Sequence, residues 1–366
     1  MFLKVDKVLL YISLCIVIIG ILMFTSASLG IISKDTDKFL GVLTSQILLG
    51  VGGGGILFIA TLRTRYTKWK KFAPTLFIIS VIFLLLLYVP GLGFSHGGAT
   101  RWLSIFGFSF QPAELYKVAV VIFTASVMSI QKGNVNDPKK GLLPAGLIIL
   151  LSALLLIPQP DTKSLVLIIT AIGAMYLSAG LKWKYITIIV AILGVLLTLL
   201  VVTRPYVMSR FTTFLHPDLD PTGSSWQLRQ SLTAVGSGGF LGRGLGQSLQ
   251  KFSYLPEPQG DSIFAVVGEE LGFLGSSIIV ILYVFFSLRI FKNAQFTKDY
   301  FGKYLLIGAG SLIFFQSFMN IGSSIGIIPL TGVPLVFMSH GGTSLMIFLA
   351  LLGIIMNITK YSDIEV

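Results

Sequence analysis

Residues Leu255 to Gly272 read LPEPQGDSIFAVVGEELG, and the apolar run that begins inside this stretch continues to residue 290. Four acids, Glu257, Asp261, Glu269 and Glu270, are thereby carried into or against a segment long enough to cross a bilayer, which takes about 20 apolar residues. A charge at hydrocarbon depth costs a few kcal/mol, so an ionisable group at such a boundary marks a functional site by default. Asp261, at the mouth of the run, is the first candidate for chemistry. Glu269 and Glu270 follow it by about 80° and 180° around an ideal helix, so at least one of them faces away from it.

The rest of the chain has the same character. Of 366 residues, 54% are hydrophobic and 11% charged, against about 25% charged in soluble domains. Apolar runs give ten expected spans near 8–31, 39–62, 73–92, 111–131, 141–158, 163–181, 184–202, 261–290, 304–328 and 335–357, an all-α polytopic membrane protein forming a single domain over residues 1–366. The first run exceeds the roughly 7–15 residues of a secretory signal core and is read as an uncleaved span. Cys15, the only cysteine, lies inside it, so no internal disulfide forms.

The net charge of +12 suggests nucleic acid only until the basic residues are placed. With the N-terminus in the cytoplasm, 17 of the 27 fall on the inner side, whereas the short outer loops hold Lys34, Lys38, Arg101 and Lys163. That asymmetry puts both termini inside. One outer connection is long, residues 203–260, with His216, Arg204, Arg210, Arg229, Arg243, Lys251 and the glycine-rich GSGGFLGRGLG at 236–246. It is expected to be an ordered, partly re-entrant surface able to face phosphate groups, or else a solvated loop of mixed charge.

Other constellations carry two readings each. Glu114 and Lys117 stand one helical turn apart at the start of the fourth span and can neutralise each other, as a buried pair or as a lysine that also meets an anionic headgroup with Arg101. Asp161 ends a Pro-Gln-Pro turn, where a helix cap is sufficient explanation. Asp261 itself stands where a cap belongs; a capped aspartate is too acidic for a general base unless its surroundings raise its pKa, and an ionised one could instead hold a divalent cation, Mg or Mn, against a pyrophosphate. Ser339 and His340 lie in a Ser-His-Gly-Gly-Thr-Ser stretch read as unwound and water-accessible. Gly52–Gly55, Gly268 and Gly272 offer surfaces for close helix packing.

Taken together these residues resemble the SEDS family (shape, elongation, division and sporulation) of membrane glycosyltransferases. The resemblance is carried by Arg101-Trp102-Leu103, Gln111-Pro112-Ala113-Glu114-Leu115-Tyr116-Lys117, Gln159-Pro160-Asp161, residues 230–239 (QSLTAVGSGG), Asn320-Ile321-Gly322, Pro334 and residues 339–344. Residues 246–252 resemble the division-type members more than the elongation-type ones. The chain departs from the family at Thr162-Lys163-Ser164, where leucine-glycine-threonine is usual, at Gln259-Gly260, and at His340, where tyrosine is usual.

The resemblance implies a polymerase of the peptidoglycan precursor lipid II, with Asp261 as the catalytic acid or base in an outward-opening cavity. Arg101, Lys117, Arg210, Arg243 and Lys251 are then candidates to stabilise pyrophosphate charge, with Glu114, Glu257, Ser339 and His340 as further substrate-binding candidates. It also implies a class B penicillin-binding protein, a single-span transpeptidase, as partner, together with other division proteins, and no organic cofactor. A flippase of polyprenyl-linked precursors is the competing reading, weakened by the lack of a readable inverted repeat.

Overall fold

A computed structural model describes residues 5–32, 36–96, 99–105, 108–131, 134–203, 205–220, 223 and 225–362; the expected basic positions Lys4, Lys34, Lys132 and Arg204 lie outside the described residues, as does the Lys38 side chain. Helix α1 (Lys7–Ile32) is followed by α2 (Thr36–Thr44), a π-helical stretch (Ser45–Gly53) and α3 (Gly54–Arg63), which together form the second crossing. Then come α4 (Thr67–Leu86), α5 (Pro112–Gln131), α6 (Leu143–Leu156, entered by a short π-turn at Pro138–Leu142), α7 (Thr162–Ser178) and α8 (Trp183–Thr203). The long outer connection contains α9 (Pro205–Leu215), α10 (Trp226–Ser237) and α11 (Gln250–Ser253), and the chain returns through α12 (Ile263–Gln295), α13 (Tyr300–Ser324) and α14 (Gly342–Thr359).

Among the described residues, eight segments are long and apolar enough to span a bilayer and α7 is a shorter apolar one. Helix α8 has a comparable apolar sequence over 21 residues, which accounts for the ten expected crossings. Large apolar side chains such as Ile56, Ile78, Leu147 and Leu154 point outward, as they do when the surrounding solvent is lipid. Cys15 is on that outer surface too.

The bounds of the third, ninth and tenth spans differ from the sequence reading. The third span begins earlier, at Thr67, and ends at Leu86 rather than 92; the chain then turns into a three-stranded antiparallel sheet, β1 (Gly93–His96), β2 (Ala99–Ile105) and β3 (Phe108–Phe110), in register Gly93 with Leu103 and Leu103 with Phe110. The ninth ends at Ser324, not 328. The tenth starts at Gly342, not 335: residues 325–341 are mostly non-helical because Pro329 and Pro334 lack backbone donors and Gly326, Gly332 and Gly341 take positive φ.

At the centre, α13 packs on α12, α7, α5 and α14. Close approach comes from glycine: a Cβ on Gly54, one of the glycines expected to serve packing, would meet Leu349, and one on Gly50, outside that group, would meet Leu345, both on α14. The cytoplasmic end is closed by a polar cluster. Asp6 accepts from Arg289 Nε at 2.6 Å, Asn293 Nδ2 at 2.7 Å and the Leu9 amide at 3.0 Å, while its own N–H donates to Thr359 Oγ1 at 3.2 Å. One carboxylate thus joins α1, α12 and α14.

Burial pushes the Asp6 carboxyl up, but Arg289, Asn293 and the Leu9 amide outweigh it and hold the group below its ordinary value of 3.8. Asp6→Asn, which leaves the guanidinium without its counter-charge, is expected to cost roughly 1–3 kcal/mol at neutral pH. Because the folded pKa is depressed, the gap between wild type and variant is full above pH 3.8 and closes as pH falls through the lower native value. Thermal unfolding in detergent across that range checks both.

Candidate active site

The segment from Gln259 to Ser262 is pinned from four directions. Ser339 Oγ donates to Gly260 O at 2.7 Å, the His340 amide to Gln259 O at 2.6 Å, Asn320 Nδ2 to Asp261 O at 2.8 Å, and Gln227 Nε2 to Ser262 Oγ at 3.2 Å. The same Ser339 hydroxyl accepts from the Leu335 amide at 2.8 Å, and Asn320 Nδ2 also donates to Val333 O at 2.7 Å. Gln46, in the π-helical part of the second crossing, accepts from the Gly341 amide at 3.0 Å and donates to Ser339 O at 3.4 Å. Ser339 and His340 therefore shape the backbone that carries Asp261, and the His340 ring lies stacked on Phe24, centroids 5.9 Å apart.

Helix α12 takes Ser262, not Asp261, as its cap residue. The capping role left open by the sequence is thus vacated, and among the described residues the Asp261 carboxylate accepts no hydrogen bond. It faces Gly332. Asp261 Oδ2, Arg210 Nη2 and Lys163 Nζ lie 3.0, 3.6 and 3.6 Å from the point a Cβ on Gly332 would occupy. Lys163 Nζ donates to Gly332 O, and Arg210 Nη1 donates to Leu330 O at 2.5 Å. Gly332 has φ +64, where glycine alone is unstrained, and its missing side chain leaves the carboxylate and both cations a common space. Around this point Gln259 Oε1, Asn320 Oδ1 and Thr331 Oγ1 are buried and make no hydrogen bond within the protein, three oxygens able to accept hydroxyl or amide protons.

By sequence Lys163 is an outer-loop charge and a departure from the family pattern, and nothing there singles it out. Its position follows from two residues that were singled out. Arg101, on β2, donates to Gln159 O at 3.1 Å and Pro160 O at 2.6 Å, folding the Pro-Gln-Pro turn. Asp161 then caps α7, accepting from Ser164 Oγ at 2.8 Å and Ser164 N at 3.4 Å. Lys163 projects from the first turn so fixed, half-buried; Arg210 reaches the same point, exposed, from α9.

The other candidate charges lie elsewhere. Helix α12 breaks at Gly272, φ +64 and ψ −166, and the glycine-rich loop fills the break. Arg243 N and Gly244 N donate to Glu269 O and Glu270 O, both at 3.0 Å, and Phe273 N and Leu274 N donate to Gly239 O and Phe240 O at 2.9 and 3.1 Å. A Cβ on Gly242 or Gly272 would strike the facing backbone. Glu269 accepts from Ser248 Oγ and Leu249 N at 2.5 and 3.0 Å, and Glu270 accepts from Ser26 Oγ at 2.7 Å, Gly246 N at 3.0 Å and Lys251 Nζ at 2.7 Å. Lys251 also donates to Gly246 O at 2.8 Å and Ser26 Oγ at 3.1 Å, which uses all three of its protons in a fully buried site. This run is a structural splice rather than a surface facing phosphate. Arg243 Nε is 3.5 Å from Glu269 and partly exposed.

Glu114 and Lys117 form the expected pair, 2.9 Å apart and both 2% exposed at the side chain. Lys117 also donates to Gln316 Oε1 at 2.7 Å, Gln316 Nε2 donates to Pro334 O at 3.3 Å, and Glu114 accepts from Ser344 Oγ at 3.2 Å. The pair supports the unwound segment from below. Glu257 is exposed with φ +46, and its Oε2 lies 3.4 Å from where a Cβ on Gly260 would sit, so it borders the Asp261 site.

A divalent cation does not suit this arrangement. Among the described residues there is no group of three or more His, Cys, Asp or Glu placed to hold one. At an effective dielectric near 20, a unit cation about 4 Å from a divalent ion costs it roughly 8 kcal/mol, so the Lys163 ammonium opposes such an ion beside Asp261.

A polytopic membrane domain that, among the described residues, holds an unpaired carboxylate beside two cations at one end of its helices has the make-up of a membrane enzyme. Residues 6–364 match the family model FtsW/RodA/SpoVE, described as cell cycle protein; the chain belongs to this family, the SEDS proteins. It is 35% identical over 359 residues to stage V sporulation protein E of Bacillus subtilis (strain 168), covering 98% of this chain and 97% of that one. It is equally 35% identical to the probable peptidoglycan glycosyltransferase FtsW of Geobacter sp. (strain M18), over 97% of this chain and 96% of the relative. Among solved structures, a chain from "Structural coordination of polymerization and crosslinking by a peptidoglycan synthase complex" superposes with TM-score 0.79 at 25% identity over 99% of this chain and all of that one. Thermus thermophilus RodA superposes with TM-score 0.70 at 23% identity, covering 100% of this chain and 99% of that one, which speaks for the fold alone.

Glu270→Ala strands a buried ammonium and is expected to destabilise by about 3–5 kcal/mol. Arg243→Ala removes a partly exposed pair and is expected to cost under about 1 kcal/mol. Unfolding midpoints of the purified variants in one detergent measure the contrast.

Proposed function

We propose that the chain is a peptidoglycan glycosyltransferase that polymerises lipid II into glycan strands at the outer face of the cytoplasmic membrane during cell division. The single observation that carries this reading is Asp261: its backbone is held by the pinned 259–262 segment while its carboxylate stays unpaired, beside two cations, at the outer end of the bundle. The 4-hydroxyl of one disaccharide attacks the anomeric carbon of another. The new C–O bond forms as the bond to the lipid diphosphate breaks, the hydroxyl proton passes to the Asp261 carboxylate, and the electron pair leaves with the diphosphate. Orientation of the carboxylate, not its acidity alone, is what the clamp of Ser339, His340 and Asn320 provides.

The relatives named FtsW and the resemblance at residues 246–252 favour division at the septum over an elongation role of the RodA kind. The peptidoglycan synthase complex among the structural neighbours favours a class B penicillin-binding protein as partner, with other division proteins around it.

Reconstitution in liposomes with lipid II and that partner is the test. Wild type is expected to give glycan chains, and Asp261→Asn to lose them by about 100-fold or more. Translocation of lipid II across the bilayer without any polymer would replace the polymerase reading by a flippase. A fluorescent fusion gathering at midcell supports the division role, and one spread along the side wall supports elongation.

A further inference from the structure

Three groups meet at Gly332, and the proposed chemistry has so far used only the carboxylate. Lys163 does no structural work for its own helix: Asp161 caps α7, and Lys163 spans the gap to a different segment to donate to Gly332 O. It is half-buried, so its charge is less screened than that of the exposed Arg210. Its Nζ and the Asp261 carboxylate address the same small space, 3.6 and 3.0 Å from the missing Cβ. An ammonium there is a unit cation tethered beside the reacting carboxylate, with two N–H donors left over after Gly332 O.

Resting on the glycosyltransferase reading above, we propose that Lys163 is the resident cation of the Asp261 site: its ammonium holds the place a divalent ion would need and binds the diphosphate of the lipid-linked donor, so that polymerisation proceeds without a metal. The Lys163 ammonium, whose partner Gly332 O is neutral, attracts a diphosphate and opposes a divalent cation beside Asp261. As the anomeric bond breaks, negative charge builds on the departing oxygen while Asp261 takes the acceptor proton. The ammonium, preorganised by its bond to Gly332 O, meets that charge without rearranging, and Arg210, held by Leu330 O, meets it from the solvent side.

The test compares wild type with Lys163→Met, Lys163→Arg and Lys163→Ala, each checked for an unchanged unfolding midpoint. Two readouts are taken, each in EDTA and in Mg2+ or Mn2+. In the first, polymerisation of lipid II in liposomes with the partner, wild type is expected to keep its rate in EDTA. Lys163→Met is expected to lose about 100-fold in kcat with a smaller change in KM, Lys163→Arg to recover most of it, and Lys163→Ala to gain a response to Mn2+ that wild type lacks. In the second, direct binding of farnesyl diphosphate to purified protein in EDTA, Lys163→Met is expected to bind about tenfold more weakly and Lys163→Arg nearly as well as wild type. A wild-type rate or farnesyl diphosphate affinity that collapses in EDTA and returns with Mg2+ overturns the proposal, as does a Lys163→Met that polymerises and binds like wild type. If wild type makes no polymer under any condition, the glycosyltransferase reading fails by itself, and the farnesyl diphosphate measurement still decides whether Lys163 is a metal-free diphosphate site.

Discussion

Buried non-helical backbone must find its hydrogen-bond partners inside the protein. Residues 333–339 are such a stretch, mostly buried, and a single amide does much of the work: Asn320 Nδ2 donates to Val333 O and to Asp261 O. It ties the unwound segment to the start of α12 at the point where the candidate carboxylate emerges. One turn earlier on the same helix, Gln316 donates to Pro334 O and accepts from Lys117. Gly332 can face Asp261 only because these two side chains hold the residues that follow it, so the geometry of the site depends on a polar stripe along the otherwise apolar α13.

The break at Gly272 obeys the same constraint by a different route. There the helix loses its own hydrogen bonds, and four loop donors and acceptors from residues 239–244 replace them. Glu269 and Glu270 then accept from the amides of the returning loop, and Lys251 neutralises the deeper of the two. Unwound backbone and buried charge are thus coupled. A carboxylate in the hydrocarbon region is tolerated because a broken segment offers it several donors, and the break persists because the carboxylates satisfy it.

Much of this was legible from residues alone. The apolar runs gave the crossings, the one-turn spacing of Glu114 and Lys117 gave their pairing, and a lone aspartate between a Pro-Gln-Gly turn and an apolar helix gave Asp261. Other features had no local signature. The glycine-rich 236–246 run invited comparison with an anion cradle, because glycine that permits close approach to a phosphate and glycine that permits close approach to another backbone look alike in sequence. The small sheet at 93–110 was missed because its strands are short and interrupted by glycine and serine. Lys163 was passed over because its partner, Gly332, lies across the fold on another segment, and nothing periodic links the two.

Charge near a membrane is therefore informative only once its partners are counted. Four acids are carried by the Leu255–Gly272 stretch, and by composition they are equivalent. Glu269 and Glu270 are saturated by amides, hydroxyls and a buried lysine, and Glu257 stands exposed at the rim. Asp261 alone combines a fixed backbone with an unpaired carboxylate. The same sorting applies to the cations: Lys117 and Lys251 are enclosed with their own counter-ions, Arg101 is bound to two carbonyls, and Arg243 is drawn to Glu269. Lys163 donates to Gly332 O, a neutral carbonyl of the unwound segment, so that partner does not cancel its positive charge. A fold that encloses Lys117 with Glu114 and Lys251 with Glu270, and leaves the Asp261 carboxylate beside Lys163, concentrates its electrostatic free energy at that point, and a lipid-borne diphosphate is the kind of ligand that would release it.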